Sequence, residues 1–187
     1  KTGFTVETEV SLGIDAGSSV FFNKEKNVYE LKLEGEELSG EDMIRYYLKL
    51  ADEFPIYALE DPLSEEEWSS WQAMTLELAK KNKQIRLIGD DLFVTNKNRL
   101  QKGIDMGVAN SILVKPNQIG TLSETLDCIM LAQQHKYDTV ISHRSGETTD
   151  TFIADLAVAV NSRFIKTGST ARGERTVKYN RLLEIEH

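Results

Sequence analysis

Short apolar runs recur along the 187-residue chain, separated by stretches in which apolar positions return every three or four residues. The runs are Val10–Ile14, Ile56–Leu59, Ile85–Ile88, Ser111–Val114, Thr139–Ile141 and Arg163–Ile165. Their brevity and aliphatic character predict strands. The stretches between them predict helices over Met43–Ala51, Glu65–Lys80, Asn96–Met106, Leu122–Gln134, Thr151–Val160 and Arg172–Leu183. SGED ahead of Met43 is a helix start signal, and Glu65–Lys80 has an acidic first turn and a basic last turn that suit the helix dipole. Val20–Leu33 alternates around NKEKN and reads as a hairpin.

Strands alternating with helices imply a parallel sheet. The C-terminal ends of the six runs carry Asp15, Glu60, Asp90, Lys115, His143 and Lys166, so every strand finishes on an ionisable side chain. A barrel gathers such ends on one face, where its chemistry sits. An open doubly wound sheet also fits the alternation, but it collects ligands at one switch point and has less use for function at all six ends. The expected fold class is α/β, a TIM-type (β/α) barrel with about six of the eight strands. No linker or low-complexity segment divides residues 1–187, which read as one partial catalytic domain.

Composition narrows the partners. Lys and Arg number 22 against 30 Asp and Glu, for a formal charge of −8. That balance argues against direct nucleic-acid binding, which calls for a basic stripe, and against an anionic membrane surface. No apolar run nears the roughly 20 residues that span a bilayer. The single cysteine, Cys128, excludes an internal disulfide and suits a reducing, cytoplasmic setting. The opening KTGFTVETEV has no initiator Met and no apolar targeting core, and reads as the interior of a longer chain.

The strand ends carry the candidate chemistry. Asp15, Glu60 and Asp90 offer hard oxygen ligands from successive strands, a set that suits Mg²⁺ and also fits Mn²⁺. One such Asp is as readily a helix cap; three on one face favour a metal. The adjoining Asp61 and Asp91 read as supporting or capping groups. Lys115 and Lys166 face the same cluster. A nearby cation and a second ammonium lower a lysine pKa, which makes Lys115, in LVKPNQIGT, a candidate base; simple pairing with a carboxylate is the plainer role. In SHRSGET, Arg144 can fork two donors onto a phosphate, Ser145 can add a hydroxyl, and Gly146 lets the backbone come close. The following helix is expected to add its N-terminal dipole, and His143 can hydrogen-bond a substrate hydroxyl or leaving group. An ordinary turn is the alternative. His135 and His187 read as surface residues.

Taken in order, IDAGSS, ALEDPLSEEEWSSW, GDDLFVTN, LVKPNQIGTLSET, VISHRSGETTDTFIADLAVA and IKTGSTARGERTVKYNRLLEIE resemble the C-terminal barrel portion of the enolase family, over essentially the whole chain. The resemblance implies reversible dehydration of 2-phosphoglycerate to phosphoenolpyruvate in glycolysis and gluconeogenesis, with Mg²⁺ as cofactor. It implies that Asp15, Glu60 and Asp90 bind the first Mg²⁺, with Glu60 also near substrate. Lys115 is then the base that takes the C2 proton, and Lys166 pairs with the substrate carboxylate and the enolate. Arg144 and Ser145 hold the phosphate, and His143 sits near the hydroxymethyl end. A second Mg²⁺ joins with substrate. The family has an N-terminal α+β domain, two earlier barrel strands, a general-acid glutamate and a mobile loop whose serine binds the second metal; none has a counterpart here. Family members form dimers or octamers and stay out of the bilayer, though some are found at the cell surface. The alternatives are a catalytically incompetent binding or scaffold piece, and a sister of the superfamily, which has no reason to keep the phosphate grip.

Overall fold

The computed structural model describes residues 3–81 and 84–187. The first two residues of KTGFTVETEV lie outside them. The chain forms two compact units, one of residues 1–93 and 102–110, the other of residues 94–101 and 111–187.

In the first unit, strand β1 (Leu12–Asp15) leads through a 3₁₀ turn (Ser18–Phe21) into a small antiparallel sheet of β2 (Phe22–Asn23), β3 (Val28–Leu31) and β4 (Glu36–Leu38). Helix α1 (Gly40–Glu53), β5 (Ile56–Glu60), α2 (Trp68–Lys80) and β6 (Arg86–Gly89) follow, with the second half of α3 (Lys97–Met106). β5 pairs in parallel with both β1 and β6. The start signal before α1 is a full capping box: Ser39 Oγ accepts from Asp42 N over 3.2 Å and Asp42 Oδ2 accepts from Ser39 N over 3.1 Å. Behind the cap, Met43, Ile44, Tyr47, Leu48 and Ala51 form the buried stripe of an amphipathic helix.

Two sequence expectations change here. The predicted hairpin gains a third strand, β4, which Gly and Glu residues hide from a hydrophobic pattern. Helix α2 starts at Trp68 rather than Glu65, so no acid lies in its first turn. The acids ahead of it have other partners: Glu65 takes the Ser19 hydroxyl and Glu67 takes the Tyr29 hydroxyl. Tyr29, fully buried on β3, also accepts from Ser64 N over 2.8 Å. The small sheet therefore braces the loop that leaves β5, and that loop begins at Glu60 and Asp61.

The second unit contains β7 (Ser111–Val114), the short α4 (Pro116–Ile119), α5 (Leu122–Gln134), β8 (Asp138–Ser142), α6 (Phe152–Ala159), β9 (Phe164–Lys166) and α7 (Gly173–Glu186). β8 pairs in parallel with β7 and β9. Every residue of β7 is buried, as expected of a strand covered on both faces. Thr121 caps α5, accepting from Glu124 N over 3.2 Å, and Cys128 is buried on that helix with its thiol pushed up to about 12 by burial. It is a core residue. Among the described residues six strands lie in parallel ladders, and helices alternate with them in both units. No described helix is long and apolar enough to cross a membrane.

Candidate active site

All six strand-end candidates fall at the C-terminal ends of parallel strands, and Arg144 and Ser145 follow His143. Asp15 and Glu60 end β1 and β5, and Lys166 ends β9; Asp90, Lys115 and His143 immediately follow β6, β7 and β8.

In the first unit, Asp15 stands directly opposite Glu60, and Glu60 opposite Ile88. Strand side chains alternate between faces. Asp15 and Glu60 therefore share a face, and Asp90 stands two residues beyond Ile88, just past the end of β6. The backbone locks the three ends together: Ala16 N donates to Glu60 O over 2.9 Å, Ser18 N to Asp61 O over 3.0 Å and Asp61 N to Ile88 O over 3.0 Å. Glu60 is buried, Asp90 half-buried and Asp15 exposed, so the acidic face runs from the interior to solvent.

Asp61 has the supporting role its sequence position suggests. Its backbone takes the left-handed conformation at φ 41°, which an Asp tolerates better than most residues. That turn drives its buried side chain beneath the next strand end, where Oδ1 accepts from Asp90 N over 3.0 Å and Oδ2 from Asp91 N over 2.7 Å. Burial pushes the Asp61 carboxyl up to about 8, against the two amides, which hold it down. Ligand oxygens of Asp61, Asp90 and Asp91 lie within 4.8 Å of one another. Both Asp61 oxygens are already engaged by amides, so its part in this cluster is to fix the strand end that presents Asp90.

In the second unit, Ser142 pairs with Lys166 across β8 and β9, and His143 N donates to Lys166 O over 3.0 Å. Thr95, buried and also left-handed at φ 54°, accepts from Lys115 N over 2.9 Å and donates to Gln118 over 3.1 Å. The end of GDDLFVTN thus pins the backbone of Lys115. Arg144 Nη1 donates to Asn117 Oδ1 over 3.2 Å. His135 and His187 are exposed, as expected.

The expected dipole of the helix after SHRSGET is not available to an anion. Helix α6 starts at Phe152, whose N–H donates to Asp150 Oδ1 over 2.8 Å, and Asp155 lies in its first turn. Carboxylates already occupy that terminus. Gly146 has open space where a Cβ would be, so the protein itself does not require a glycine there.

Helix α7 holds residues to which the sequence pattern assigned no role. Arg175 Nη1 lies 2.7 Å from His143 Nδ1 and donates to Arg144 O over 3.1 Å, while Nη2 donates to Ser145 O over 3.1 Å. Lys178, with no exposed surface, donates to Thr148 O over 2.5 Å and Glu174 O over 2.7 Å, and lies 3.5 Å from the Glu147 carboxylate. Arg175 and Lys178 are one helical turn apart, a spacing that puts both on one face of GERTVKYN. That periodicity was the available signal. The His143 imidazole is held below its usual range first by burial and then by Arg175 and Lys166; a hydrogen bond to the Thr167 backbone and the Glu147 charge oppose them.

With this geometry in view, the relatives are informative. The family described as "Enolase, C-terminal TIM barrel domain" matches residues 1–187. The chain belongs to the enolase family. Its parallel strands are therefore those of a TIM-type barrel domain, the fold class expected from the alternation. The enolase of Helicobacter pylori strain J99 is 54% identical over 187 residues, all of this chain and 43% of that protein. That of Helicobacter acinonychis strain Sheeba is 53% identical over the same span, and that of a Nitratiruptor species is 52% identical over 186 residues. The chain spans less than half the length of these relatives.

The oxygen-only donor set at the ends of β1, β5 and β6 fits a hard divalent cation. Register sets Asp15 opposite Glu60, whereas the carboxylates whose oxygens converge are Asp61, Asp90 and Asp91 rather than the expected set; the Asp90 and Asp91 amides donate to the Asp61 carboxyl.

Proposed function

We propose that this chain is the catalytic barrel portion of a longer enolase, a hydro-lyase that interconverts 2-phosphoglycerate and phosphoenolpyruvate. The observation that carries this reading is the strand-end register, with Asp15 opposite Glu60 and Asp90 two residues beyond Glu60's partner Ile88, in a chain 54% identical to an enolase along its whole length.

In this reading Asp15, Glu60 and Asp90 hold Mg²⁺. Bound there, Mg²⁺ supplies concentrated positive charge to the substrate carboxylate, which makes the neighbouring C–H acidic. Lys115 takes the C2 proton on its Nζ; the Thr95 hydroxyl fixes its backbone. Lys166 places an ammonium beside the carboxylate, where the electron pair released from C2 collects. Arg144 and Ser145 grip the phosphate, with Asn117 aligning the Arg144 guanidinium. His143 stands at the hydroxymethyl end, a neutral hydrogen-bonding group.

Turnover belongs to the full-length protein, expected to be cytoplasmic and a homo-oligomer. The 187-residue chain alone, without the family's acid glutamate and serine loop, is expected to be inactive. The test is formation of phosphoenolpyruvate from 2-phosphoglycerate by the full-length protein with Mg²⁺. Turnover that chelation abolishes and Mg²⁺ restores supports the reading; a folded, Mg²⁺-loaded protein without turnover rejects it.

A further inference from the structure

The guanidinium of Arg175 touches His143 Nδ1, Arg144 O and Ser145 O at once. An arginine has only donors to give and keeps its proton at all relevant pH, so His143 Nδ1 must be the acceptor. The ring proton of a neutral His143 then sits on Nε2. Gly168 makes the approach possible. A Cβ there would lie 2.9 Å from Arg175 Cδ and 3.2 Å from His143 Cε1, and its φ of +85° already disfavours a side chain.

The same guanidinium orients the turn. In a trans peptide the carbonyl of one residue points opposite to the N–H of the next. Drawing the Arg144 and Ser145 carbonyls toward α7 turns the N–H groups of Ser145 and Gly146 the other way. We propose that Arg175 is a positioning residue: one guanidinium fixes His143 as the Nε2–H tautomer and, by holding two carbonyls, aims the backbone donors of Ser145 and Gly146 away from α7, where a phosphorylated ligand is received. The ligand in this statement rests on the enolase reading; the tautomer does not. Glu147 and Lys166 are the other charged groups that face His143.

The test is ¹⁵N NMR of histidine-labelled full-length protein at neutral pH, with the His143 signals assigned by their loss in His143→Gln. The expected wild-type spectrum shows Nε2 protonated and Nδ1 bare. Arg175→Met should abolish the single tautomer and move the His143 titration to higher pH, because a facing cation is gone. Arg175→Lys keeps one donor for Nδ1 but cannot also span both carbonyls. It should keep the tautomer while 2-phosphoglycerate binds about tenfold more weakly, the loss of one charged hydrogen bond, with kcat changed less than KM. An Nδ1–H ring or an imidazolium in the wild type overturns the proposal, as do unchanged His143 signals in Arg175→Met. If Arg175→Met fails to fold, the wild-type spectrum and the lysine variant still decide. The expected spectrum in a protein without turnover would reject the enolase reading and leave the tautomer claim standing; turnover with the wrong tautomer would do the reverse.

Discussion

Asp61 accepts the backbone N–H of Asp90 over 3.0 Å while its second oxygen accepts that of Asp91 over 2.7 Å. A buried carboxyl group thus fixes the backbone from which the next strand's carboxylate projects. Asp61→Asn keeps one acceptor and turns an NH₂ toward an N–H that had a partner. Groups that orient a ligand without touching the metal typically cost about 10–100-fold in affinity when lost. Mg²⁺ titration by calorimetry should show a loss of that size in a protein that still folds. Unchanged affinity would show that Asp90 needs no such support.

Asp90→Asn removes a ligand rather than its support. The same titration should show a larger loss than Asp61→Asn, with thermal stability measured without metal little altered, since Asp90 is only half-buried. A variant that binds Mg²⁺ like the wild type would take Asp90 off the ligand set.

Lys178 is a fully buried cation that meets the end of SHRSGET, close to the Glu147 carboxylate and the Thr148 carbonyl and to Glu174 O of its own helix. Lys178→Met leaves that carboxylate without its facing charge, and breaking a buried pair this way costs about 3–5 kcal/mol. Glu147 retains some exposure, so the lower end, about 3 kcal/mol, is expected in urea unfolding. A loss under about 1 kcal/mol would place Lys178 with surface pairs instead.

His143 fixes the sign of one pH effect. Its imidazole titrates lower in the folded protein than in the unfolded chain, through burial first and Arg175 second. Between about 6.5, the unfolded value, and the lower folded value, the unfolded chain binds more protons. Stability therefore falls as pH drops through that window and is fully present above it. Subtracting the pH–stability curve of His143→Gln isolates this contribution, because other groups cancel. A difference that grows more favourable on acidification would contradict the account.

Much of the architecture was readable from periodicity because it is local. Strand β7 and helix α5 have the bounds their apolar patterns predict, and an ionisable side chain at each strand end is visible without coordinates. What escaped depends on distant partners. Tyr29 reaches Ser64 and Glu67, and Arg175 reaches back across more than 30 residues to Arg144. Asp61 read as a supporting or capping group, but no pattern states that a left-handed residue will send its carboxyl under another strand. The start of α2 was misread for the same reason: acids that suit a helix dipole instead receive hydroxyls from Ser19 and Tyr29. The dipole expected of α6 failed because Asp150 had already taken its first N–H.

The most direct measurement is exchange of the C2 proton of 2-phosphoglycerate with deuterated solvent, catalysed by the full-length protein with Mg²⁺ and compared with Lys115→Ala. The wild type should exchange this proton. The variant should lose at least the roughly 10²–10⁴-fold that a general base supplies, while binding the phosphorylated ligand with little change. Undiminished exchange in Lys115→Ala, or a folded Mg²⁺-loaded wild type that exchanges nothing, would contradict the account.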